Sequence, residues 1–238
     1  RLTVDYYNVR VKDAIGEQSV DIAQRQCFDT QFNPSLDANS PACAGINRNF
    51  DGGLGNVVRT FLNNGRFRTS GIDAQLDWAI PAGPGQINLN TSFNYLIELK
   101  SAELDVLPLV DFTGTLGPTQ NGLNGGAYEY KVFTTVGYSI GGNSLSLQWR
   151  HLPSIDIEAK ALVPTLPNTD YNAYNIFSLL GTAAVTDDIV LRFGVENLLN
   201  KAPPLGNVNP AANPALGQLP GGSFNAQFYD TLGRRFSV

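Results

Sequence analysis

GIDAQLDWAIPAGPGQINLNTSFNYLIELK, residues 71–100, decides how this chain is read. In its first part Ile72, Ala74, Leu76, Trp78 and Ile80 alternate with Asp73, Gln75 and Asp77. In its second part Ile87, Leu89, Thr91, Phe93, Tyr95, Ile97 and Leu99 alternate with Gln86, Asn88, Asn90, Ser92, Asn94, Leu96, Glu98 and Lys100. A period of two over such lengths means strands with one apolar and one polar face. The Pro- and Gly-rich break at 81–85 reads as a tight connection between them.

The pattern recurs outward from this segment. Residues 130–140 set Tyr130, Val132, Thr134, Val136, Tyr138 and Ile140 against Lys131, Thr135 and Ser139. Leu145, Leu147 and Trp149 oppose Ser146, Gln148 and Arg150. Ile189, Leu191, Phe193 and Val195 oppose Arg192, Gly194 and Glu196. Residues 2–11 change phase at Tyr6-Tyr7, which reads as a bulge, and residues 172–184 mix their faces. Eight strands result, at 2–11, 54–80, 86–100, 128–140, 144–158, 171–185, 189–198 and 223–238. Long and short connections then alternate without exception, provided that 54–80 is one strand kinked at 63–65.

Composition agrees with an all-β chain. Among 238 residues, 24 Gly and 14 Pro leave little room for long helices. A net charge of −5 argues against a nucleic-acid partner. No apolar run of about 18 residues marks a transmembrane helix, which leaves a membrane barrel open. The chain begins at Arg1 and contains no Met, so it reads as a processed chain or a fragment. The cysteines, Cys27 and Cys43, have too few companions for a metal site, since the one histidine, His151, lies far away. A disulfide closing a loop of about 15 residues suits them better and implies an oxidising compartment; two free buried thiols are the alternative. No nucleophile–base set surrounds His151 in QWRHLPS, so neither an enzyme nor a cofactor is expected. DGGLG and LNGGAY lack the strand–helix context and the Lys of a phosphate loop. The loop acids Asp37, Asp51, Glu103, Asp105 and Asp111 match no calcium-loop spacing.

Alternation alone does not say which face is wet. Strands of about 10–15 residues exceed the usual soluble length of about 5–6 and meet the 9–11 that a membrane strand needs, by roughly the general figures for both classes. Long loops at one end and tight turns at the other match an outer-membrane layout. Trp78 and Tyr138 stand just before turns, where an interfacial girdle would lie; Trp149 fits a core as well as a girdle. The polar face then lines a lumen, carrying Asp73, Asp77, Glu98, Lys100, Arg150, Arg192, Glu196 and Arg235. That placement spares Arg and Lys the roughly 2–4 kcal/mol of a lipid-facing midplane.

Four segments, in order, resemble the TonB-dependent outer-membrane receptors. LTVDYYNVRVKDAIG resembles a barrel strand leading into a long external loop. NNGRFRTSGIDAQLDWAIP resembles the strand with a Gly-(Ile/Val)-(Asp/Glu) step. FGVENLLNKAPP resembles the late-strand signature that ends in an Asn-rich turn and prolines, and FYDTLGRRFSV resembles the last strand. The paired cysteines and Arg48 resemble a proteobacterial subgroup. The resemblance spans the chain, residues 1–238, and implies the C-terminal part of a receptor barrel. Such barrels have about 22 antiparallel, up-and-down transmembrane strands; this chain would supply eight, without the plug and the earlier strands. Because members usually end on an aromatic residue, a few residues are also expected after Val238. The implied function is TonB-energised uptake of a ferric siderophore, a cobalamin-like cofactor or an oligosaccharide across the bacterial outer membrane. The implied partners are outer-membrane lipid, the small-molecule or oligosaccharide substrate, and the TonB complex acting through a plug and its TonB box. The barrel would be monomeric. The Cys27–Cys43 loop and residues 127–130 are the expected binding surfaces. Two other readings stay open: a porin or adhesin barrel, and a soluble carbohydrate-binding β-sandwich with the Leu145/Leu147/Trp149 face buried.

Overall fold

In a computed structural model, described for residues 1–117, 126–167, 170–206 and 228–238, the chain forms one large antiparallel sheet. Its main strands are β1 (Leu2–Glu17), β2 (Phe61–Ala82), β3 (Gly85–Ala102), β4 (Tyr130–Ile140), β5 (Asn143–Leu152), β6 (Tyr174–Ala184), β7 (Val190–Glu196) and β8 (Arg235–Ser237). Each pairs with its neighbours in sequence, so the sheet is a plain meander. Val110–Asp111 adds a short strand beside β3. β1 and β8 are not paired with each other, and the sheet is open.

Connection lengths follow the expected alternation. β2 and β3 meet with Ala82 opposite Gly85, and β4 and β5 with Ile140 opposite Asn143. The first central residue of each turn is a glycine at left-handed φ, +59° at Gly83 and +56° at Gly141. A type II′ hairpin turn needs that conformation at that position. Long connections leave the opposite end of every hairpin, and they carry the helix α1 (Val20–Phe28) and the small hairpin Ile46–Arg48/Leu54–Val57.

Several strands differ from the sequence reading. Residues 54–80 are not one kinked strand. Leu54–Val57 turns back on Ile46–Arg48, and Val58 N–H donates to the Gly45 carbonyl at 2.8 Å. β2 starts after this, at Phe61, and runs through 63–65. The register slips twice beside Ala14: an extra β1 residue lies between Val11 and Ala14, next to Asp13 at φ +53°, and an extra β2 residue lies between Gly65 and Asn63, so an irregularity does fall within 63–65. No bulge occurs at Tyr6-Tyr7, since pairing is continuous from Leu2/Leu76 to Val11/Phe67. β5 stops at Leu152, and β6 starts at Tyr174. Between them Ile155–Asp156 pairs with Asp170–Tyr171 in a separate ladder. β8 is short; residues 223–227 of the expected last strand lie outside the described residues.

FGVENLLNKAPP resolves into a strand end and a clasp. Asn197, the residue after β7, and Asn200 both take left-handed φ, +50° and +52°. Asn tolerates this region because its short polar side chain bonds locally. Asn197 is 1 % exposed. Its amide donates to the Lys201 carbonyl at 2.9 Å and accepts from Lys201 N–H at 2.8 Å. Tyr174 Oη donates to the same carbonyl, and Asn200 Oδ1 accepts from Arg234 N–H, which ties the clasp to β6 and to the approach to β8. Asn197→Ala should therefore destabilise the protein by about 2–4 kcal/mol, combining orphaned buried polar groups with a strained φ. Asn197→Gly, which keeps the φ, should lose less. The midpoints of thermal unfolding for the two variants check the order.

Candidate functional site

Register assigns every side chain to a face. One row runs across seven strands as Trp78, Leu89, Val136, Leu147, Leu179, Val195 and Phe236. Adjacent rows on this face include Ile80, Ile87, Tyr138 and Leu145, then Leu76, Thr91, Thr134, Trp149 and Phe177. No second layer covers it among the described residues. Trp78 is 56 % exposed, Leu145 48 %, Val136 47 % and Phe236 74 %. Phe193 lies across from Gly181, whose missing Cβ leaves the room the ring occupies.

An aromatic run borders this face toward the long loops. Phe93, Tyr130, His151, Trp149 and Phe177 follow one another at centroid distances of 6.3, 5.5, 5.7 and 6.5 Å. Asn175 Oδ1 accepts from Trp149 Nε1 at 2.9 Å and also meets His151 Nδ1 at 2.9 Å. With Nδ1–H donating there, His151 Nε2 is left to accept from Tyr130 Oη at 3.3 Å. Trp149 thus belongs to an aromatic border, and the lone histidine is a bracing group within it. The run crosses the strands obliquely: Tyr130 heads β4, whereas Phe177 of β6 aligns with Trp149 and Thr134, four positions further along β4.

On the other face Asp73, Asp77, Arg150, Arg192, Glu196 and Arg235 share one side of the sheet. Asn94 Nδ2 donates to Asp73 at 2.6 Å, and Asn90 donates to Asp77. Arg235 pairs with Glu196 and, at 2.9 Å, with Asp230. Glu98 and Lys100 part from this set. Gly71 pairs with Leu96 but Ser70 pairs with Glu98, so Ile97 is an extra residue. That bulge carries Glu98 and Lys100 to the face of Ser70 and Arg68, the one that bears Tyr95 and Ile72. There Glu98 Oε1 lies 2.5 Å from Arg68 Nε, and Lys100 Nζ donates to Glu98 Oε2 at 3.0 Å. Arg68 and Lys100 thus share the Glu98 carboxylate.

Hydropathy swaps faces at the same level. Leu2, Val4 and Tyr6 share the face of Leu76, Ala74 and Ile72, whereas Val9 and Val11 share the opposite face with Thr69 and Phe67. The phase change at Tyr6-Tyr7 therefore marks where the apolar residues leave one face for the other. Above it the loops pack. Leu116 and Tyr128, Ile155 and Tyr171, and Tyr229, from three different connections, form one cluster with Tyr174 and Ile176 of β6. Burial pushes the Tyr128 hydroxyl pKa far up and raises that of Tyr229. Thr115 bridges to Asp156, and Leu116 N–H donates to the Asp156 carbonyl at 2.8 Å, joining two of these loops through backbone. Ala127 and Tyr128, within the expected binding rim, are thus buried pillars of a loop cap.

Cys27 and Cys43 are bonded. Ser19 caps α1 by accepting from Ile22 N–H, and Ile22 packs on Leu104 and Leu107 of the next loop. Asn33 Nδ2, 3 % exposed as a residue, donates to the carbonyls of Cys27 and Asp37 beside the disulfide. Arg48 lies over the Phe28 ring at 5.2 Å, which pins the small hairpin to α1. Among the described residues no group of His, Cys, Asp and Glu could hold a metal ion.

Searches of protein-family models, curated proteins and solved structures find no match to this chain.

Mass mapping without reductant should recover Cys27 linked to Cys43. Reducing the bond should leave the strands paired but open residues 18–60 to protease, because the closed loop contributes on the order of 3 kcal/mol to that segment alone. Unchanged cleavage after reduction would count against a bracing role.

Proposed function

We propose that this chain is part of the wall of an outer-membrane barrel, the C-terminal part of a TonB-dependent receptor that imports a scarce nutrient. The observation that carries the membrane reading is the bare apolar face. On β2 it extends from Ile72 to Ala82, which is about 33 Å along the strand and about 25 Å in height at a 40° tilt. Outer-membrane barrels expose an apolar band of about that height, bordered by aromatic residues. A soluble sandwich would bury Leu145 and Leu147, yet both are exposed. The two open edges support further strands on either side, since an unpaired edge in hydrocarbon leaves backbone groups unsatisfied. The word receptor rests on the four resembling segments and on the loop cap, which gathers three connections over the polar face.

Leu147→Arg and Gln148→Arg separate the readings, because the two residues are neighbours on opposite faces. In the full-length protein Leu147→Arg should cost about 2–4 kcal/mol and lower the amount of heat-modifiable protein in the outer membrane; Gln148→Arg should leave it near wild type. Equal tolerance of both would sink the membrane reading. Uptake of the limiting nutrient should stop with a protonophore; uptake indifferent to it would favour a passive porin.

A further inference from the structure

On the polar face two adjacent rows read Asp5–Asp73–Asn94–Lys131 and Gln75–Ser92–Phe133–Arg150. They line a groove of about 450 Å³ across β1 to β5, a volume in the range of small-molecule sites. Its charges are sorted by sign. Asp5 and Asp73 face each other at one end, Lys131 and Arg150 stand at the other, and the neutral Asn94 and Ser92 lie between. All four charged side chains belong to exposed residues, and none has an ion-pair partner among the described residues. Glu98 pairs with Arg68 and Lys100, and Arg235 pairs with Glu196 and Asp230, but here the fold holds acids and bases apart. Directly opposed like charges destabilise a strand pair, so Asp5 and Asp73 need a cation. Asn94 donates to Asp73 at 2.6 Å without neutralising it, and Lys131 stands two strands away, about 10 Å across the sheet.

We infer that the groove seats a short zwitterionic peptide, with its ammonium at Asp5 and Asp73 and its carboxylate at Lys131 and Arg150. The inference rests on the import reading above and names a substrate class for it. Length supports it: the separation of about 10 Å between Asp73 and Lys131 is what an extended tripeptide spans at about 3.3–3.6 Å per residue. Chemistry supports it too. A carboxylate accepts paired, charge-assisted hydrogen bonds from guanidinium, and an ammonium donates to two carboxylates at once. Asn94 and Ser92 offer hydrogen bonds to the peptide backbone, and Phe133 offers an apolar contact to a side chain. A neutral sugar would leave both charge pairs unanswered, and a simple anion would answer one of them. The groove lies directly beneath the loop cap, since Leu152 both lines it and packs against the tyrosine cluster.

The test is calorimetric titration of the detergent-purified full-length protein with tri-alanine. Wild type should bind it, and acetylating the amine or amidating the carboxyl should each weaken binding about tenfold or more, the worth of a charge-assisted contact. Asp5→Asn with Asp73→Asn should lose the discrimination against the acetylated peptide but keep that against the amide. Lys131→Gln with Arg150→Gln should do the reverse. Because the four residues are exposed, both double variants should remain heat-modifiable. No binding of tri-alanine to wild type, blocked peptides bound as tightly as the free one, or discrimination that survives in both double variants would each overturn the inference. A failed titration on protein that resides in the outer membrane removes the peptide alone. Absence of wild-type protein from the outer membrane would instead remove the import reading on which the inference stands.

Discussion

The structure depends on an antiparallel register that runs unbroken on the tight-turn side of the aromatic border. From Leu2/Leu76 through to Val195/Phe236 the pairing keeps apolar residues on a single face over eight strands, and among the described residues no layer covers that face. A slip of one residue in any strand would send its apolar set to the other side. In water a large contiguous apolar surface of this kind is a liability, because soluble monomers rarely expose one. The long strands, the bare leucines and the aromatic border go together with that register, and they are the features on which the proposed membrane placement rests.

The register also explains where the pattern ends. At Tyr6 the apolar residues of β1 change face, and at Ile97 an extra residue makes β3 deliver charges where it had delivered aromatics. The two devices differ, one a change of composition along a regular strand and the other a bulge. Their result is the same: the face that was apolar becomes cationic, and the opposite face becomes available to the loops. The Asn197 clasp does the corresponding work for β7, ending the strand with two left-handed asparagines rather than letting it extend.

Much of this was legible in the sequence because period two is a local signal. The strand number, the order of long and short connections and the membership of the main rows follow from residues such as Trp78, Leu89 and Leu147. What was not legible is non-local. Nothing in FNYLIELK says that Ile97 is unpaired, because a bulge is a property of two strands, and parity counted along one strand puts Glu98 and Lys100 on the wrong side of it. Leu54–Val57 reads as joined to β2 because nothing along the segment itself shows that its partner is Ile46–Arg48. Residues 172–184 seemed mixed because Tyr174 and Ile176 occupy the polar face, and their reason for doing so, the tyrosines of three loops, lies far away in the chain.

The loop cap gives the molecule two regimes of stability. Below the aromatic border, backbone pairing and an apolar surface hold the strands, and neither requires a packed core. Above it, strands with polar outer faces depend on side chains that reach across connections: Tyr128 and Tyr229 in one cluster, Ile22 with Leu104 and Leu107 in another. The disulfide lies in this upper region, where it adds a covalent tie to a loop of more than forty residues between β1 and β2 that α1, a small hairpin and the packing of Ile22 also order. On the membrane placement proposed above, side chains presented outside the bilayer would need such bracing, because a bilayer around the strands would do nothing for the loops beyond it.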